Sequence, residues 1–189
     1  MYCIGRLLIV FFSLGALTSG CLMNGVKEIN PAKARVSEDR TILVVGVQTE
    51  PADQPGYIYF TQYDLEKGFI TGNCSSWNRI RETVAPTNDT IIRAYSAPAG
   101  FYATSFREEI DAGTRPVSRE VSLAFNAPAG SVVYLGDYIT TSEAGSVSGR
   151  RESNPERAKK VLEPEMAANM ITAEPVPIKG GVIVPICTP

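Results

Sequence analysis

The sequence predicts a mainly β fold, an antiparallel two-sheet sandwich with one short helix near the C-terminus. From residue 41 onward, short apolar or alternating runs recur between turn signals, a spacing typical of sandwiches and not of βαβ units. These runs are rich in β-branched and aromatic side chains, which favour strands. With 44% hydrophobic and 20% charged residues, the composition is that of a globular protein.

Eight segments have the pattern of a strand. The first is a continuous apolar run, as expected for a buried strand, and the sixth alternates between apolar and polar residues, as expected when one face is solvated. The predicted strands are residues 41–47, 57–63, 77–84, 90–96, 101–106, 117–125, 132–140 and 181–186. The sequence Ala-Pro-Ala-Gly occurs at 97–100 and again at 127–130, and each copy predicts a corner between two strands.

One helix is predicted, at about residues 155–163. Asn154 is a favourable capping residue, and Pro155 suits the first helical position. An apolar stripe with helical spacing follows. Pro164 bounds the helix because a proline disfavours helical geometry in the residue before it.

The first twenty residues have the pattern of a secretory signal peptide. Arg6 is their only charged residue, and the apolar run 7–17 follows it. A helix of this length would extend about 17 Å, well short of the ~30 Å hydrocarbon core of a bilayer. A basic start, an apolar centre and a small-residue exit indicate a removable signal sequence at 1–20 and not a buried core helix.

The exit of this segment, Leu17-Thr18-Ser19-Gly20-Cys21, resembles the lipobox of bacterial lipoproteins. The resemblance implies cleavage before Cys21 and lipidation of that cysteine, which would anchor the chain in a membrane. Thr18 stands where a branched aliphatic residue is usual, and ordinary secretion after cleavage near Gly20 is the alternative. Leu22 follows the cysteine where inner-membrane lipoproteins of enteric-type bacteria have Asp, which implies an outer-membrane protein facing the periplasm.

The mature chain is interpreted as a tethered single domain. Residues 21–40 are polar and without a sustained period, so they predict a lipidated cysteine with a flexible tether. Residues 41–189 are long enough for one core. In this domain Cys74 and Cys187 predict a disulfide in an oxidising envelope, worth up to ~4.7 kcal/mol in the chain-entropy model. Two separate buried thiols, or a bridge between molecules, are the alternatives.

The chain contains no histidine, which excludes Ser-His-Asp and Cys-His nucleophile systems and histidine-ligated zinc or haem. A net charge of −2 and a pI near 5.3 argue against a nucleic-acid partner. No phosphate-binding loop, CxxC pair or calcium loop occurs in the sequence. The acidic run 108–111 is interpreted as a solvated segment and not as a cation site. The sequence therefore predicts neither a cofactor nor a metal site.

Trp77, Arg79 and Arg81 alternate in a predicted strand and so share one of its faces. Such a face can stack on a sugar or bind an anion, which makes it the candidate binding face. The alternative is structural, with the tryptophan in the core and the arginine stems covering its edge.

Beside the lipobox, Pro-Ala-Gly-Phe-Tyr at 98–102 and Pro-Ala-Gly-Ser-Val-Val-Tyr-Leu-Gly at 128–136 resemble segments of small bacterial cell-envelope lipoproteins of uncharacterised function. In these proteins such a turn leads into an aromatic-containing strand of an Ig-like or transthyretin-like sandwich. The resemblance covers roughly residues 41–165. It implies that fold and an envelope location, and it carries over no catalytic residues.

Three hypotheses for function follow. The first is a non-enzymatic lipoprotein that binds an envelope protein or glycan, or has a structural role there. The second is an accessory lipoprotein subunit of a trans-envelope, secretion-type assembly. The third is a hydrolase of envelope polymers, which would need two acids converging in a cleft, one of them with a raised pKa.

Overall fold

The computed structural model describes residues 24–71, 78–111, 116–143 and 146–179. The predicted signal peptide, the predicted strand 181–186, Cys21, Trp77 and both cysteines of the predicted disulfide lie outside these ranges. The predictions about them therefore stay predictions.

The described part of the chain consists largely of strands, and the mainly β prediction is confirmed. The strands are β1 (Lys27–Ile29), β2 (Arg40–Thr49), β3 (Gly56–Asp64), β4 (Phe69–Ile70), β5 (Arg79–Val84), β6 (Ile91–Pro98), β7 (Gly100–Asp111), β8 (Pro116–Ala127), β9 (Ser131–Glu143), β10 (Ser146–Glu152), β11 (Met170–Thr172) and β12 (Val176–Pro177). The helices are α1 (Pro155–Lys159) and α2 (Pro164–Ala168), and Pro31–Lys33 forms a 3-10 turn. In these ranges no helix has the length and hydropathy of a bilayer span.

The sheet is mixed, and the prediction of a purely antiparallel arrangement is wrong. β2 pairs in parallel with β9, starting with Thr41 opposite Ser131, and β11 also runs parallel to β9. The parallel direction follows from the position of the Ala-Pro-Ala-Gly corner at 127–130, which leads into β9. The Gly130 backbone N–H donates a hydrogen bond to the Arg40 carbonyl at 2.7 Å, so β2 and β9 start at the same end of the sheet and run in the same direction.

The strand order is β1-β6-β2-β9-β10-β7-β3-β4, with β11 on β9, β5 on β3, and β8 between β7 and β12. β10 joins the two portions of this order. It pairs with β9 along its seven residues and with β7 through Ser148 opposite Arg107. The two Ala-Pro-Ala-Gly corners also connect the portions, one between β6 and β7 and the other between β8 and β9. The two copies are thus equivalent crossings.

The largest apolar cluster draws on both portions of the sheet. It contains Val45 of β2, Phe60 of β3 and Phe125 of β8, all fully buried. A second cluster covers the other face of the first portion, where Ala158 and Met166 of the helical segment contact β2, β6 and β9 side chains. The apolar stripe of the predicted helix therefore contributes to the core.

The predicted helix is shorter than expected. α1 ends at Lys159, and α2 starts with Pro164 after a turn. The predicted cap is present, since the Arg157 backbone N–H donates to Asn154 Oδ1 at 3.2 Å. The helix ends early because residues 160–163 must turn for α2 to pack on the same strands.

The segment expected to be a tether is packed against the sheet from Asn24 onward. β1 pairs with β6, and Val26 and Ala34 are buried. Asn24 is held by side-chain hydrogen bonds to the backbone of Arg79. The sequence pattern did not indicate this packing because the buried side chains are isolated among polar residues and the contacts are made by amides.

Candidate binding cleft

A cleft opens where β3 and β10 separate along one edge of β7. The opposite edge of β7 is paired with β8 along its whole length. On the open edge, β3 pairs with residues 101–103 and β10 pairs with Arg107. Between them, residues 104–106 have no ladder partner on that edge among the strands that the structure describes. In the part of the chain that the structure describes, this stretch of the β7 edge therefore has no neighbouring strand, and the cleft lies beside it.

The cleft has a volume of about 190 Å³. Its lining combines aromatic rings with hydroxyl groups, contributed by β3, β7, β9 and β10. The lining residues are Tyr57, Ile58, Tyr59, Phe60, Thr104, Ser105, Phe106, Tyr138, Ile139, Thr140, Gly149 and Arg150. For comparison, an apolar cavity of about 150 Å³ is large enough to bind benzene, so this cleft accommodates about one ring or one branched apolar side chain.

Buried aromatic rings make the base of the cleft rigid. Tyr138 contacts Phe60 edge-on, with 5.2 Å between ring centroids, and Phe106 at 6.0 Å. Burial raises the pKa of the Tyr138 hydroxyl, so that hydroxyl stays protonated at physiological pH. At one side the Thr140 hydroxyl accepts a hydrogen bond from the Tyr57 backbone N–H at 3.2 Å, which fixes the start of β3.

The rim carries one cation with its counter-ions. Arg150 is exposed and forms ion pairs with Glu50 and with Glu152. Hydrogen bonding to Glu50 is the main cause that raises the pKa of Arg150. The cation is thus neutralised within the molecule, and the interior of the cleft offers apolar contact and hydrogen-bonding groups.

Arg79 and Arg81 of the predicted binding face lie next to this cleft, on β5. Arg81 is exposed and lies opposite Tyr59 of the rim, and Arg79 lies opposite Thr61. Opposed residues of an antiparallel pair share a face with Cβ atoms about 5 Å apart. The predicted arginines therefore border the tyrosine side of the cleft, whereas Trp77 lies outside the described residues.

In the basic segment at residues 150–160, most of the cationic side chains bind to other groups of the chain. Lys159 contacts Glu156 at 2.7 Å, and Arg151 donates to the Leu135 carbonyl at 2.8 Å while its guanidinium lies over the Phe125 ring. In the acidic run, Glu108 pairs with Arg119 at 2.9 Å. These contacts give the charged side chains a structural role at the surface of the fold.

Among the acids whose side chains the structure describes, Asp137 comes nearest to the requirements of a hydrolase, because burial raises its pKa. It is 1% exposed, and both of its oxygens are engaged. Oδ1 accepts a hydrogen bond from the Tyr134 hydroxyl at 2.6 Å, and Oδ2 accepts one from Arg157 at 2.8 Å. A substrate has no access to this carboxylate, so its role is to attach α1 to β9.

The sequence indicated three of the four strands that line the cleft, β3, β7 and β9, but neither β10 nor the cleft itself. Tyr57 and Tyr59 belong to a predicted strand, and a run of tyrosines on a strand edge was an available signal. Two features could not be inferred from the sequence: the point where β3 stops pairing with β7, and the pairing of β10. Both depend on contacts between strands that are distant in the sequence. No family model, curated protein or solved structure matches the chain.

Proposed function

We propose that this chain is a lipid-anchored, non-enzymatic binding protein of the bacterial cell envelope, with a two-layer sandwich fold and the cleft beside β7 as its binding site. The observation that carries the binding role is the cleft, whose aromatic lining adjoins a stretch of the β7 edge without a neighbouring strand among the described residues. The lipobox-like sequence ending at Cys21 supports the location. The sandwich is supported by the core cluster shared between the two portions of the sheet.

The ligand that fits is an extended segment of a partner protein with one aromatic or branched apolar side chain. Unpaired backbone groups of strands bind extended peptides by adding a strand, and a pocket for one side chain provides specificity. The cleft is smaller than the pockets of about 300–1,000 Å³ that enclose whole small molecules. Its size therefore favours a single side chain over a complete small ligand.

Cys21→Ser is expected to move the protein from the membrane fraction to the soluble fraction. Two or more acyl chains give stable membrane anchoring, and the serine variant removes the cysteine that would carry them. Cys3→Ser is the matched control, because Cys3 lies in the segment predicted to be removed, and it should fractionate as the unmodified protein does. Retention of the Cys21→Ser protein in washed membranes would contradict the anchor.

Thr104→Leu is expected to abolish binding in the cleft, because Thr104 is buried in its lining and leucine adds volume there. The measurement is an NMR titration of the Cys21→Ser protein with N-acetyl-phenylalanine amide as the probe. We expect shift changes at cleft residues, lost in Thr104→Leu and retained in Ile91→Ala, an exposed apolar control on β6.

Two further probes complete this titration. N-acetyl-alanine amide should cause weaker changes because it lacks the ring. If N-acetylglucosamine perturbs the same residues and the phenylalanine probe does not, the peptide proposal is wrong and the cleft binds glycan.

The Cys74–Cys187 disulfide is part of this proposal. It is supported by a third apolar cluster on the second portion of the sheet, which contains the buried Ile70 and has Ile178 packed against it. Ile70 precedes Cys74 by four residues, and Ile178 precedes Cys187 by nine. The chain segments leading to both cysteines thus leave from the same apolar cluster on the second portion of the sheet.

A further inference from the structure

The structure describes the chain from Asn24, which lies three residues after Cys21 and is already packed against the domain. The Asn24 side-chain amide donates to the Arg79 carbonyl at 2.7 Å, and the Arg79 backbone N–H donates back to Asn24 Oδ1 at 3.0 Å. The next residue is fixed as well, since the Gly25 N–H donates to Asn78 Oδ1 at 2.9 Å. The chain is therefore attached to the start of β5 before β1 begins.

A series of amide hydrogen bonds extends this attachment across the end of the sheet. Asn78 Nδ2 donates to Gln62 Oε1 at 2.7 Å, and Gln62 Nε2 donates to the Ala99 carbonyl at 2.9 Å. Gly100 follows with φ +145°, and a Cβ there would lie 2.7 Å from Gln62 Nε2. Only glycine fits this close approach, so Asn24 is connected through three side-chain amides to the first Ala-Pro-Ala-Gly corner.

The second Ala-Pro-Ala-Gly corner lies at the same end of the sheet. Arg40 lies opposite Pro98 of the first corner in the β2–β6 ladder. Its carbonyl accepts a hydrogen bond from the Gly130 N–H of the second corner. Its guanidinium donates a hydrogen bond to the Gly25 carbonyl. We call this end, formed by Asn24, Asn78 and the two corners, the anchor end. The loop between β2 and β3, which contains the exposed Asp53, is at the opposite end.

Only two residues, Leu22 and Met23, separate Cys21 from Asn24. Three residue steps reach at most about 10 Å when fully extended, and the lipidated cysteine must lie at the membrane surface. We propose, on the basis of the lipid anchor proposed above, that the anchor end rests on the lipid headgroups and that the strands rise from the bilayer. The partner of this surface is the bilayer itself.

This orientation determines where the cleft opens. Tyr57 of the rim lies four residues along β3 from Thr61, which pairs with Arg79 at the anchor end. At about 3.3 Å per residue the rim is roughly 13 Å further from the membrane than that pair. The cleft thus faces the aqueous side of the envelope, where a partner segment can enter.

The test is photo-crosslinking of the full lipidated protein in proteoliposomes. Benzoylphenylalanine is placed either at Ala129, exposed at the anchor end, or at Asp53, exposed at the opposite end. We expect lipid adducts with the probe at Ala129 and none with the probe at Asp53. A ten-residue Gly-Ser linker inserted between Met23 and Asn24 should remove this difference, because it keeps the domain contacts and frees the orientation.

Inserting the same linker between Asp53 and Gln54 is the matched control and should preserve the adducts at Ala129. Equal adducts at the two positions without a linker, or adducts favouring Asp53, would overturn the orientation while leaving the anchor intact. Failure of the anchor is a separate result, because the protein would then not remain on the vesicles after a high-salt wash.

Discussion

Gly46→Ala is expected to destabilise the domain by about 3–5 kcal/mol, the combined cost of overpacking and of breaking a buried ion pair. Gly46 lies on β2 directly opposite Asp137. A Cβ at this position would overlap Asp137 Oδ1 and lie 2.9 Å from Thr90 Cγ2. The carboxylate cannot move aside without losing its hydrogen bonds to Tyr134 and Arg157.

Thermal and urea unfolding measure this effect. For a domain of this size the melting temperature should fall by about 6–20 °C, at about 2–4 °C per kcal/mol. Gly130→Ala is the control for backbone conformation, because Gly130 has φ +69° and open space around it. It should cost only about 1–2 kcal/mol, the strain of a left-handed alanine.

A double-mutant cycle identifies the cause of the Gly46→Ala effect. In an Asp137→Ala background the added methyl no longer meets a carboxylate, so most of the penalty should disappear, with a coupling energy of about 2 kcal/mol or more. Additive effects of the two substitutions would show that the glycine is needed for another reason.

Arg157→Ala is expected to destabilise the domain by about 2–4 kcal/mol at neutral pH. The pair joins a nearly buried Asp137 carboxylate to a guanidinium that is 39% exposed, so the loss should lie at or below the range for fully buried pairs. Lys159→Ala on the same helix is the matched control, since Lys159 pairs with the exposed Glu156. It should cost under about 0.5 kcal/mol.

The pH dependence of the Arg157→Ala effect has a definite sign. Burial raises the pKa of Asp137 in the folded state, with the nearby Glu152 adding to the rise and Tyr134, Arg157 and Arg151 opposing it. The folded state therefore binds the proton more tightly than the unfolded state. Stability from this group is present below the unfolded pKa, about 3.9, and is lost as the pH rises through the folded pKa.

Removing Arg157 raises the folded pKa of Asp137 further. The deficit of Arg157→Ala, meaning its loss of unfolding free energy relative to the unmodified protein, should therefore be larger at pH 7 than at pH 4.5. Urea unfolding of the variant and of the unmodified protein at both pH values measures it. A deficit that is the same at both pH values, or larger in acid, would mean that the carboxylate is not its source. Adding Asp137→Asn should make the deficit independent of pH.

The strands that the sequence predicted are those whose own side chains form the core. The run 41–47 appears as Arg40–Thr49 and the run 57–63 as Gly56–Asp64, because both are rich in β-branched or aromatic residues, which favour strands. β10 was missed because Ser-Val-Ser-Gly-Arg-Arg-Glu lacks an apolar face. Its stability comes from pairing with β9 and from the guanidinium of Arg151 over the Phe125 ring.

The direction of pairing and the functional features depend on contacts between distant residues. The parallel pairing of β2 with β9 depends on the Gly130–Arg40 hydrogen bond, which has no signature in either segment. The network of Asp137 had two available signals, an acid within one predicted strand and a glycine, Gly46, within another. The amides that fix Asn24 had none, since asparagine and glutamine are common in solvated segments.

The central position of β2 has a consequence for how the chain acquires its structure. β2 contains the apolar run Ile42–Val47, yet its two neighbours, β6 and β9, lie about 50 and 90 residues later in the sequence. During synthesis the run Ile42–Val47 therefore lacks its neighbour β6 until residue 96 is available and its neighbour β9 until residue 138 is available. Domains dominated by such distant pairings fold in milliseconds to seconds, so this segment needs protection from association with other chains during that interval.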